Sequence, residues 1–280
     1  MANVRADELG REARAAGSRA RNSTWVDRVA RFGLVAKAAS YGLVAVLALG
    51  LAFGAGGKAT SREGALATIA DETWGAAVLV VLALGFAGYA LWRLLQALFD
   101  DEDDGAKGLA KRAGYLGRAV VYGVLTVATF KLLAGSGGGS SQTEDARQAT
   151  STVLAWPAGR WLVAAAGASL AGAGLYNGYR AVTQSFEERW QTAAMSRAER
   201  TWGARIGAVG LLARMVVFGL VGAFLVKAAV EYDPQEAIGL DGALRKVAAQ
   251  AYGAWLLGAV AVGLLAYALY CLVEARYRDV

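Results

Sequence analysis

Six stretches of the chain are apolar over the length of a membrane-spanning helix. A helix needs about 20 apolar residues to cross the ~30 Å hydrocarbon layer of a bilayer. The third and fifth stretches also contain a basic residue near each end, and such long side chains reach the polar surfaces by snorkelling. The pattern predicts an all-α, six-span transmembrane helical bundle. Its spans lie near residues 34–54, 75–97, 114–134, 159–180, 208–230 and 251–274.

The first span of each successive pair opens with one motif, Gly-x3-basic-x3-aromatic-Gly. The second span of each pair opens with a glycine that lies 42, 45 or 43 residues after the first motif glycine. Spacing this regular predicts three tandem copies of one two-helix unit. The residues are Gly33, Lys37, Tyr41, Gly42 and Gly75 in copy 1, Gly114, Arg118, Tyr122, Gly123 and Gly159 in copy 2, and Gly210, Arg214, Phe218, Gly219 and Gly253 in copy 3.

The three copies run in the same direction, because each contains an even number of spans. They are therefore parallel repeats, unlike the inverted repeats of many transporters. We predict a bundle of three parallel two-helix repeats with a pseudo-threefold arrangement. Its predicted parts are a polar cytoplasmic tail at 1–24, repeat 1 at 25–99, repeat 2 at 100–183 and repeat 3 at 184–280.

Copy 2 departs from the other two copies at several positions. Tyr89 and Tyr267 occupy equivalent positions in the second spans of copies 1 and 3, where copy 2 has Ala173. Three residues further on, all copies have an aromatic residue. These aromatic residues are Trp92, Tyr176 and Tyr270.

A short amphipathic segment precedes the second span. It opens with Gly64-Ala65-Leu66 in copy 1 and with Gly242-Ala243-Leu244 in copy 3, whereas copy 2 keeps only its length. Ser61 and Asp241 stand where a side chain can cap such a helix. Repeat 3 is also predicted to begin with a helix lying in the membrane interface, because apolar residues recur there at helical spacing beside charged ones. Those residues are Phe186, Trp190, Ala193 and Ala194.

The repeats resemble the bacterial membrane family catalogued as domain of unknown function 1206. The resemblance covers about residues 24–276, and it rests on the Gly-x3-basic-x3-aromatic-Gly element and on the Trp-Pro-Ala-Gly-Arg-Trp run from Trp156 to Trp161. It implies three tandem two-span repeats in the cell membrane. It implies no activity, substrate or site residues.

Composition supports a membrane protein and removes several enzyme classes. The 280 residues are 56% hydrophobic, with 36 glycines and 19% charged residues, whereas soluble domains have about 25% charged residues. The chain has no histidine and one cysteine, Cys271. A disulfide within the chain and Ser-His or Cys-His catalysis are therefore excluded, and zinc lacks its usual ligands. We expect no enzyme activity and no cofactor.

The positions of the basic residues predict the orientation. Leaving aside Lys37, Arg118 and Arg214, the lysines and arginines divide into 18 in or next to the two tails and the loops on their side, and eight in or next to the opposite loops. Both termini should therefore be cytoplasmic, in a bacterial inner membrane. We attribute the net charge of +6 to contacts with membrane lipids, and we expect no nucleic acid partner. Tryptophans should mark the outer interface (Trp74, Trp156, Trp161, Trp255) and the inner interface (Trp25, Trp92, Trp190, Trp202).

Lys37, Arg118 and Arg214 are the candidate site residues, as contacts for lipid or for an anion. Each lies about one turn inside a span, where a basic side chain suggests function. We expect all three in one layer near the cytoplasmic face, pointing outward to lipid headgroups. Turned toward the axis, unscreened cations would repel one another by roughly several kcal/mol per pair. Such a ring would need bound anions, lipid phosphates or water.

Two other polar runs carry no site. The acidic run 100–104 resembles the start of a calcium loop. Such a loop needs an acidic ligand at its twelfth position, where this chain has Lys111. The Gly/Ser run 135–141 lacks the Lys-Ser/Thr ending of a phosphate loop, so it predicts a flexible linker. No acidic residue lies in the middle of a span, and this argues against a proton- or sodium-driven pump.

The sequence favours a non-enzymatic scaffold or a lipid-interacting bundle. Membrane lipids are the expected partners, and a membrane-protein partner is the other interpretation left open. The alternative is a small channel or facilitator for an anion or a neutral solute. An intramembrane enzyme is the third interpretation, and no nucleophile–base pair supports it.

Overall fold

The computed structural model describes residues 24–53, 75–99, 105–134 and 141–278. Several sequence predictions fall outside these residues. They concern the N-terminal tail, Ser61, Gly64-Ala65-Leu66, Trp74, the acidic run 100–104 and nearly all of the Gly/Ser linker.

Within the described residues the fold is all-α, as predicted. It contains six long helices, α1 (Thr24–Ala52), α2 (Gly75–Phe99), α3 (Gly105–Leu133), α5 (Gly159–Thr183), α6 (Arg197–Glu231) and α8 (Gly253–Tyr277), and two short ones, α4 (Gln142–Leu154) and α7 (Leu240–Ala248). Repeat 1 supplies α1 and α2, repeat 2 supplies α3 to α5, and repeat 3 supplies α6 to α8.

Five of the long helices are apolar enough to cross a membrane, namely α1, α2, α3, α6 and α8. Helix α5 coincides with the predicted fourth span and has the necessary length, but it is not among the five. Its sequence is rich in glycine and alanine and contains Asn177 and Arg180, which lower its hydropathy. The six-span count therefore stays a prediction.

The helices follow one another around a ring. The second long helix of each repeat packs along the first helix of the next repeat, as α2 on α3, α5 on α6, and α8 back on α1. Within repeats 1 and 3 the two long helices also pack together, whereas α3 and α5 of repeat 2 make marginal contact at most. The ring is thus open between α3 and α5, and the pseudo-threefold arrangement stays a prediction.

The motif glycines explain why repeat 2 differs. A Cβ atom on Gly33 would lie 2.8 Å from the Cα atom of Tyr89, and one on Gly210 would lie 2.5 Å from the Cα atom of Tyr267. The glycines therefore permit close helix crossing at the tyrosine position that repeats 1 and 3 share. A Cβ atom on Gly114 would meet nothing within 4 Å among the described residues. In repeat 2 the helix pair lacks this crossing, and its second helix has Ala173 in place of the tyrosine.

The two ends of the bundle differ in chemistry. We call the end where α1, α3 and α6 begin the basic end, and the end that carries α4 and α7 the short-helix end. At the basic end, Arg31 of α1 donates hydrogen bonds to the carbonyls of Ala275 and Arg276 in the last turn of α8. These carbonyls have no partner within their own helix, so the guanidinium both satisfies them and ties repeat 3 to repeat 1.

At the short-helix end, α4 and α7 cap each other. The Asp241 carboxylate accepts hydrogen bonds from the backbone N–H and the hydroxyl of Thr143 at 3.0 and 2.7 Å. The Thr143 hydroxyl oxygen in turn accepts from the N–H groups of Gly239 and Gly242. The expectation that Asp241 caps its own helix is therefore wrong. It caps the equivalent helix of the neighbouring repeat, because the two N-termini meet.

The prediction of an interfacial helix at the start of repeat 3 is also wrong. The segment forms two short 3-10 turns, Glu187–Arg189 and Thr192–Ala194. Phe186 and Trp190 are buried against the ring of Tyr270, with ring centroids 5.4 and 6.3 Å away. Burial of these two large rings in the bundle removes the apolar face that an interfacial helix would need.

The tryptophans predicted to mark the interfaces divide into two groups. Trp156, Trp161 and Trp255 at the short-helix end are exposed, as an interfacial belt requires. Toward the basic end Trp202 is exposed as well, whereas Trp92 and Trp190 are buried inside the bundle. Trp92 and Trp190 therefore contribute to packing between helices rather than to contact with headgroups.

Candidate functional site

Lys37 lies inside the bundle between two tyrosine rings. Its side chain is only 7% exposed. The Nζ atom lies 5.4 Å from the ring centroid of Tyr89 and 5.1 Å from that of Tyr267. These are the two tyrosines that share one position in repeats 1 and 3. The negative faces of their rings stabilise the ammonium group where water is scarce.

Arg214 occupies the equivalent position in repeat 3 and uses the same kind of partner. Its guanidinium carbon lies 4.5 Å from the ring centroid of Tyr267, 5.7 Å from Tyr41 and 4.4 Å from Phe218. One nitrogen, Nη1, donates a hydrogen bond of 2.6 Å to the Tyr267 hydroxyl. The Nε atom is buried and has no hydrogen-bond partner among the described residues.

Arg118 of repeat 2 is exposed. It forms no hydrogen bond or ion pair with another described residue, and its own repeat has Ala173 where the other repeats have a tyrosine. The expected outward arrangement is therefore wrong for Lys37 and Arg214. The side chains of Lys37 and Arg214 turn inward because tyrosine rings from neighbouring helices lie next to their charged groups. We call Lys37, Arg214, Tyr41, Tyr89 and Tyr267 the cation–tyrosine layer.

A cavity of about 450 Å³ begins at this layer and extends toward the short-helix end. Arg214 and Tyr41 line one end of it, while Gln142 and Asp145 line the other. On α6 the lining runs from Arg214 to Leu225, which is ~16 Å along a helix. Between the two polar ends the walls are mainly valine and leucine side chains, contributed by α3, α5, α6 and α8. They include Val120, Val121, Val124, Leu125, Leu170, Val217, Val221 and Leu264.

The cavity lies at the opening of the helix ring. Its wall on α3 includes Val121 and Val124, which are 49% and 63% exposed. Its opposite wall includes Leu170 of α5, and α3 and α5 do not pack together along their lengths. An apolar pocket that opens through the side of a bundle faces lipid chains when the bundle is in a membrane.

Aromatic rings pack against one another within the cation–tyrosine layer and between this layer and the basic end. Tyr41 and Tyr267 meet edge to face at 4.7 Å, and Tyr89 lies 4.4 Å from Tyr122. Nearer the basic end, the guanidinium of Arg93 lies 4.1 Å from the ring of Trp92. Tightly packed rings of this kind separate the cavity from the basic end.

A buried ion pair lies at the basic end of α8, and the sequence analysis did not anticipate it. The Glu274 carboxylate accepts hydrogen bonds from Arg278 Nη1 at 2.8 Å and from the Tyr270 hydroxyl at 2.9 Å. Glu274 and Arg278 are 3% and 5% exposed. Their spacing of four residues fits an ion pair on one helix face. The only further signal in the sequence was the shared aromatic position of Tyr270.

The arrangement is suited to binding an anion and an apolar group. In the part of the chain that the structure describes, no group of three His, Cys, Asp or Glu residues could hold a metal. Within the same residues, no carboxylate forms an ion pair with Lys37, Arg118 or Arg214. Cys271 is fully buried, so its thiol is shielded from solvent and substrates.

Comparisons with known proteins agree with the repeat structure. The profile of the family described as Domain of Unknown Function (DUF1206) matches three times, at residues 32–100, 113–184 and 209–278. A Bacillus subtilis (strain 168) protein described as "Uncharacterized protein YxxB" is 32% identical over 258 residues, which cover 91% of this chain and 92% of that protein. No solved structure matches. With three matches and this relative, the chain belongs to the DUF1206 family of tandem repeats.

Proposed function

We propose that this protein is a non-enzymatic, lipid-interacting membrane protein that admits the apolar chain of a membrane lipid into its central cavity. The observation that carries the proposal is the position of the cavity. It lies between the two helices of the divergent repeat, and it opens toward the side of the bundle. Its volume of about 450 Å³ is within the usual range of small-molecule sites, about 300–1,000 Å³.

The chemistry of the walls favours a hydrocarbon chain as the occupant. Valine and leucine side chains from α3, α5, α6 and α8 face the cavity along its length. Inside a bilayer such a surface gains little from the hydrophobic effect, because lipid tails are as apolar as leucine. Binding then depends on close packing against a cavity of matching shape. A single chain extending along the ~16 Å between the two polar ends satisfies that requirement.

The opening between α3 and α5 provides the route for exchange. A lipid chain moving sideways from the bilayer need not cross a polar layer to reach the cavity walls. Repeats 1 and 3 offer no equivalent route, because their helix pairs are closed by the crossings of Gly33 on Tyr89 and of Gly210 on Tyr267. Divergence of repeat 2 is therefore the feature that converts a closed ring into a lipid-binding bundle.

A channel or facilitator for an anion or a neutral solute is the second candidate function. It is favoured by the polar residues Gln142 and Asp145 at the far end of the cavity and by Arg214 within it. The packed rings between the cavity and the basic end oppose it, since a solute would have to displace them. Flux of chloride and of glycerol into liposomes that contain the purified protein distinguishes the two functions, and the lipid-binding proposal expects no flux above protein-free liposomes.

The proposal places the basic end at the cytoplasmic face of a cell membrane, with both termini inside. The expected result concerns two introduced thiols, Ser18→Cys in the N-terminal tail and Ser140→Cys in the Gly/Ser linker. An impermeant maleimide should label the second in intact cells and the first only after lysis, because the 18-to-8 distribution of basic residues sets orientation. The native Cys271 is buried and gives little background. Labelling of Ser18→Cys in intact cells would contradict the proposed orientation.

Filling the cavity should remove the bound lipid. The test variant is Val124→Trp, at a wall position that is 63% exposed, so the larger ring enters the opening without disturbing buried packing. The matched control is Val127→Trp on the same helix, which is 56% exposed and does not line the cavity. Native mass spectrometry of protein extracted in a mild detergent measures retained lipid.

We expect the wild type and Val127→Trp to retain a bound lipid, and Val124→Trp to lose at least about nine-tenths of it. Displacement of a chain by an indole ring removes its packing partners, and a loss of about 1.4 kcal/mol in binding energy already lowers affinity tenfold. Equal retention by both variants, or none by the wild type, would show that no lipid chain occupies the cavity.

A further inference from the structure

The two ends of the cavity carry opposite charges. Arg214 lies at the end next to the cation–tyrosine layer, and Asp145 lies at the short-helix end. The walls between them are apolar, so neither charge is screened by polar side chains along the cavity. An amphiphile that enters this space is therefore oriented by its headgroup. An anionic headgroup is attracted to Arg214 and repelled by Asp145.

Arg214 retains capacity to bind an anion. Its guanidinium has five N–H donors in a planar fork, and the structure assigns one hydrogen bond from this group, to the Tyr267 hydroxyl. The buried Nε atom has no partner within the described residues. A buried donor without an acceptor destabilises the structure, and an oxyanion that bonds to it removes this cost. Arginine binds carboxylates and phosphates in this way through two parallel hydrogen bonds.

The cations of the layer outnumber the carboxylates beside them. Lys37 and Arg214 both lie over the ring of Tyr267. The Glu274 carboxylate is close enough to interact with Lys37, but it is bonded to Arg278 and Tyr270. Arg214 forms no ion pair with a carboxylate among the described residues. Two cations over one tyrosine ring repel each other unless an anion compensates them, and the aromatic faces supply only part of this compensation.

We infer that the ligand of this cavity is an anionic amphiphile, with its chain along the valine and leucine walls and its carboxylate or phosphate bound by Arg214. This inference rests on the proposed function and adds the headgroup class to it. Lys37, which lies over the same tyrosine ring as Arg214, adds positive potential to this end of the cavity.

The experiment compares ligands that share one chain and differ in the headgroup. Purified protein in a neutral maltoside detergent is loaded with radiolabelled laurate at alkaline pH. Unlabelled laurate, dodecanol, dodecyltrimethylammonium and inorganic phosphate then compete for it. We expect laurate to compete at least about tenfold better than dodecanol, since hydrogen bonds to charged groups are worth roughly that factor or more. Phosphate without a chain should not compete at millimolar concentration.

Two substitutions assign the preference to Arg214. Arg214→Gln should reduce the laurate-to-dodecanol ratio to within about twofold, because the charge and the guanidinium fork are lost. Arg214→Lys keeps the charge without the fork and should retain an intermediate ratio. Val127→Trp, outside the cavity, should leave the ratio unchanged. Thermal unfolding of each variant is recorded alongside, and the wild-type comparison stands without any variant if Arg214→Gln fails to fold.

The outcomes separate the two claims. Equal competition by laurate and dodecanol overturns the anionic headgroup while lipid binding stands. Better competition by dodecyltrimethylammonium overturns it as well, and assigns the headgroup to the Asp145 end. Displacement by phosphate alone overturns the amphiphile in favour of a free anion. Failure of every chain-bearing ligand to bind overturns the proposed function itself.

Discussion

Glu274→Ala should destabilise the protein by about 3–5 kcal/mol, the usual cost of removing one partner of a buried ion pair. The substitution leaves the Arg278 guanidinium buried, at 5% exposure, without its carboxylate, and the Tyr270 hydroxyl without its acceptor. Thermal unfolding in detergent, followed by tryptophan fluorescence, measures the change. The effect should be large because both charges lie between packed helices.

A double substitution separates charge imbalance from lost packing. Glu274→Gln with Arg278→Met removes both charges together and should recover most of the stability that Glu274→Ala loses, since apolar replacement of a whole buried pair is often neutral. The exposed pair of Lys227 and Glu231, with charged atoms 3.8 Å apart, is the matched control. Glu231→Ala should change the unfolding temperature little. Equal effects of Glu231→Ala and Glu274→Ala would show that the buried pair contributes nothing specific.

Gly210→Ala should destabilise the protein by about 1–3 kcal/mol, the usual cost of adding atoms to a tightly packed contact. A Cβ atom at this position would lie 2.5 Å from the Cα atom and 2.6 Å from the nitrogen of Tyr267. The obstacle is backbone, so α6 and α8 must separate. That separation would also disturb the Arg214 contacts with Tyr267. The same thermal unfolding assay measures the loss.

The equivalent substitution in repeat 2 should have the opposite sign. Gly114 occupies the same motif position, and a Cβ atom there meets nothing within 4 Å among the described residues. Gly114→Ala should be neutral or stabilising by up to about 1 kcal/mol, because alanine favours a helix over glycine. Matching losses at Gly114 and Gly210 would mean that α3 and α5 pack as closely as α6 and α8, and that the ring has no opening.

The helices and the repeats were predictable because both leave periodic signals in the sequence. Apolar stretches of span length predicted the helices, and the matched glycines predicted the helix pairs. The close crossings at Gly33 and Gly210 were seen only in the structure. The open pair was not predicted, although its cause was visible. Ala173 stands in repeat 2 where the other repeats have tyrosine, and the tyrosine is what the glycine of the first helix packs against.

The direction of the basic side chains was not predictable from their own helices. A lysine one turn inside a span can turn to headgroups or to the axis, and the choice depends on residues distant in sequence. Lys37 turns inward because Tyr89 and Tyr267 meet beside it. Repeat alignment did carry a hint, since tyrosine accompanies the inward-facing Lys37 and Arg214, and alanine accompanies the exposed Arg118. No such hint existed for Phe186 and Trp190, whose burial depends on the fold of a connecting segment.

Photocrosslinking with a lipid that carries a diazirine at the end of its chain tests the central claim most directly. Leu170 and Val221 line the cavity from α5 and α6 and are half-buried, so a chain inside the cavity can contact them. Val46 and Val262 are exposed on the outside of α1 and α8 and report ordinary lipid contact. After irradiation in proteoliposomes, peptide mass spectrometry locates the adducts. The account predicts adducts on Leu170 or Val221 in addition to those on the outside, and their loss in Val124→Trp. Adducts confined to outward-facing residues such as Val46 and Val262 would contradict it.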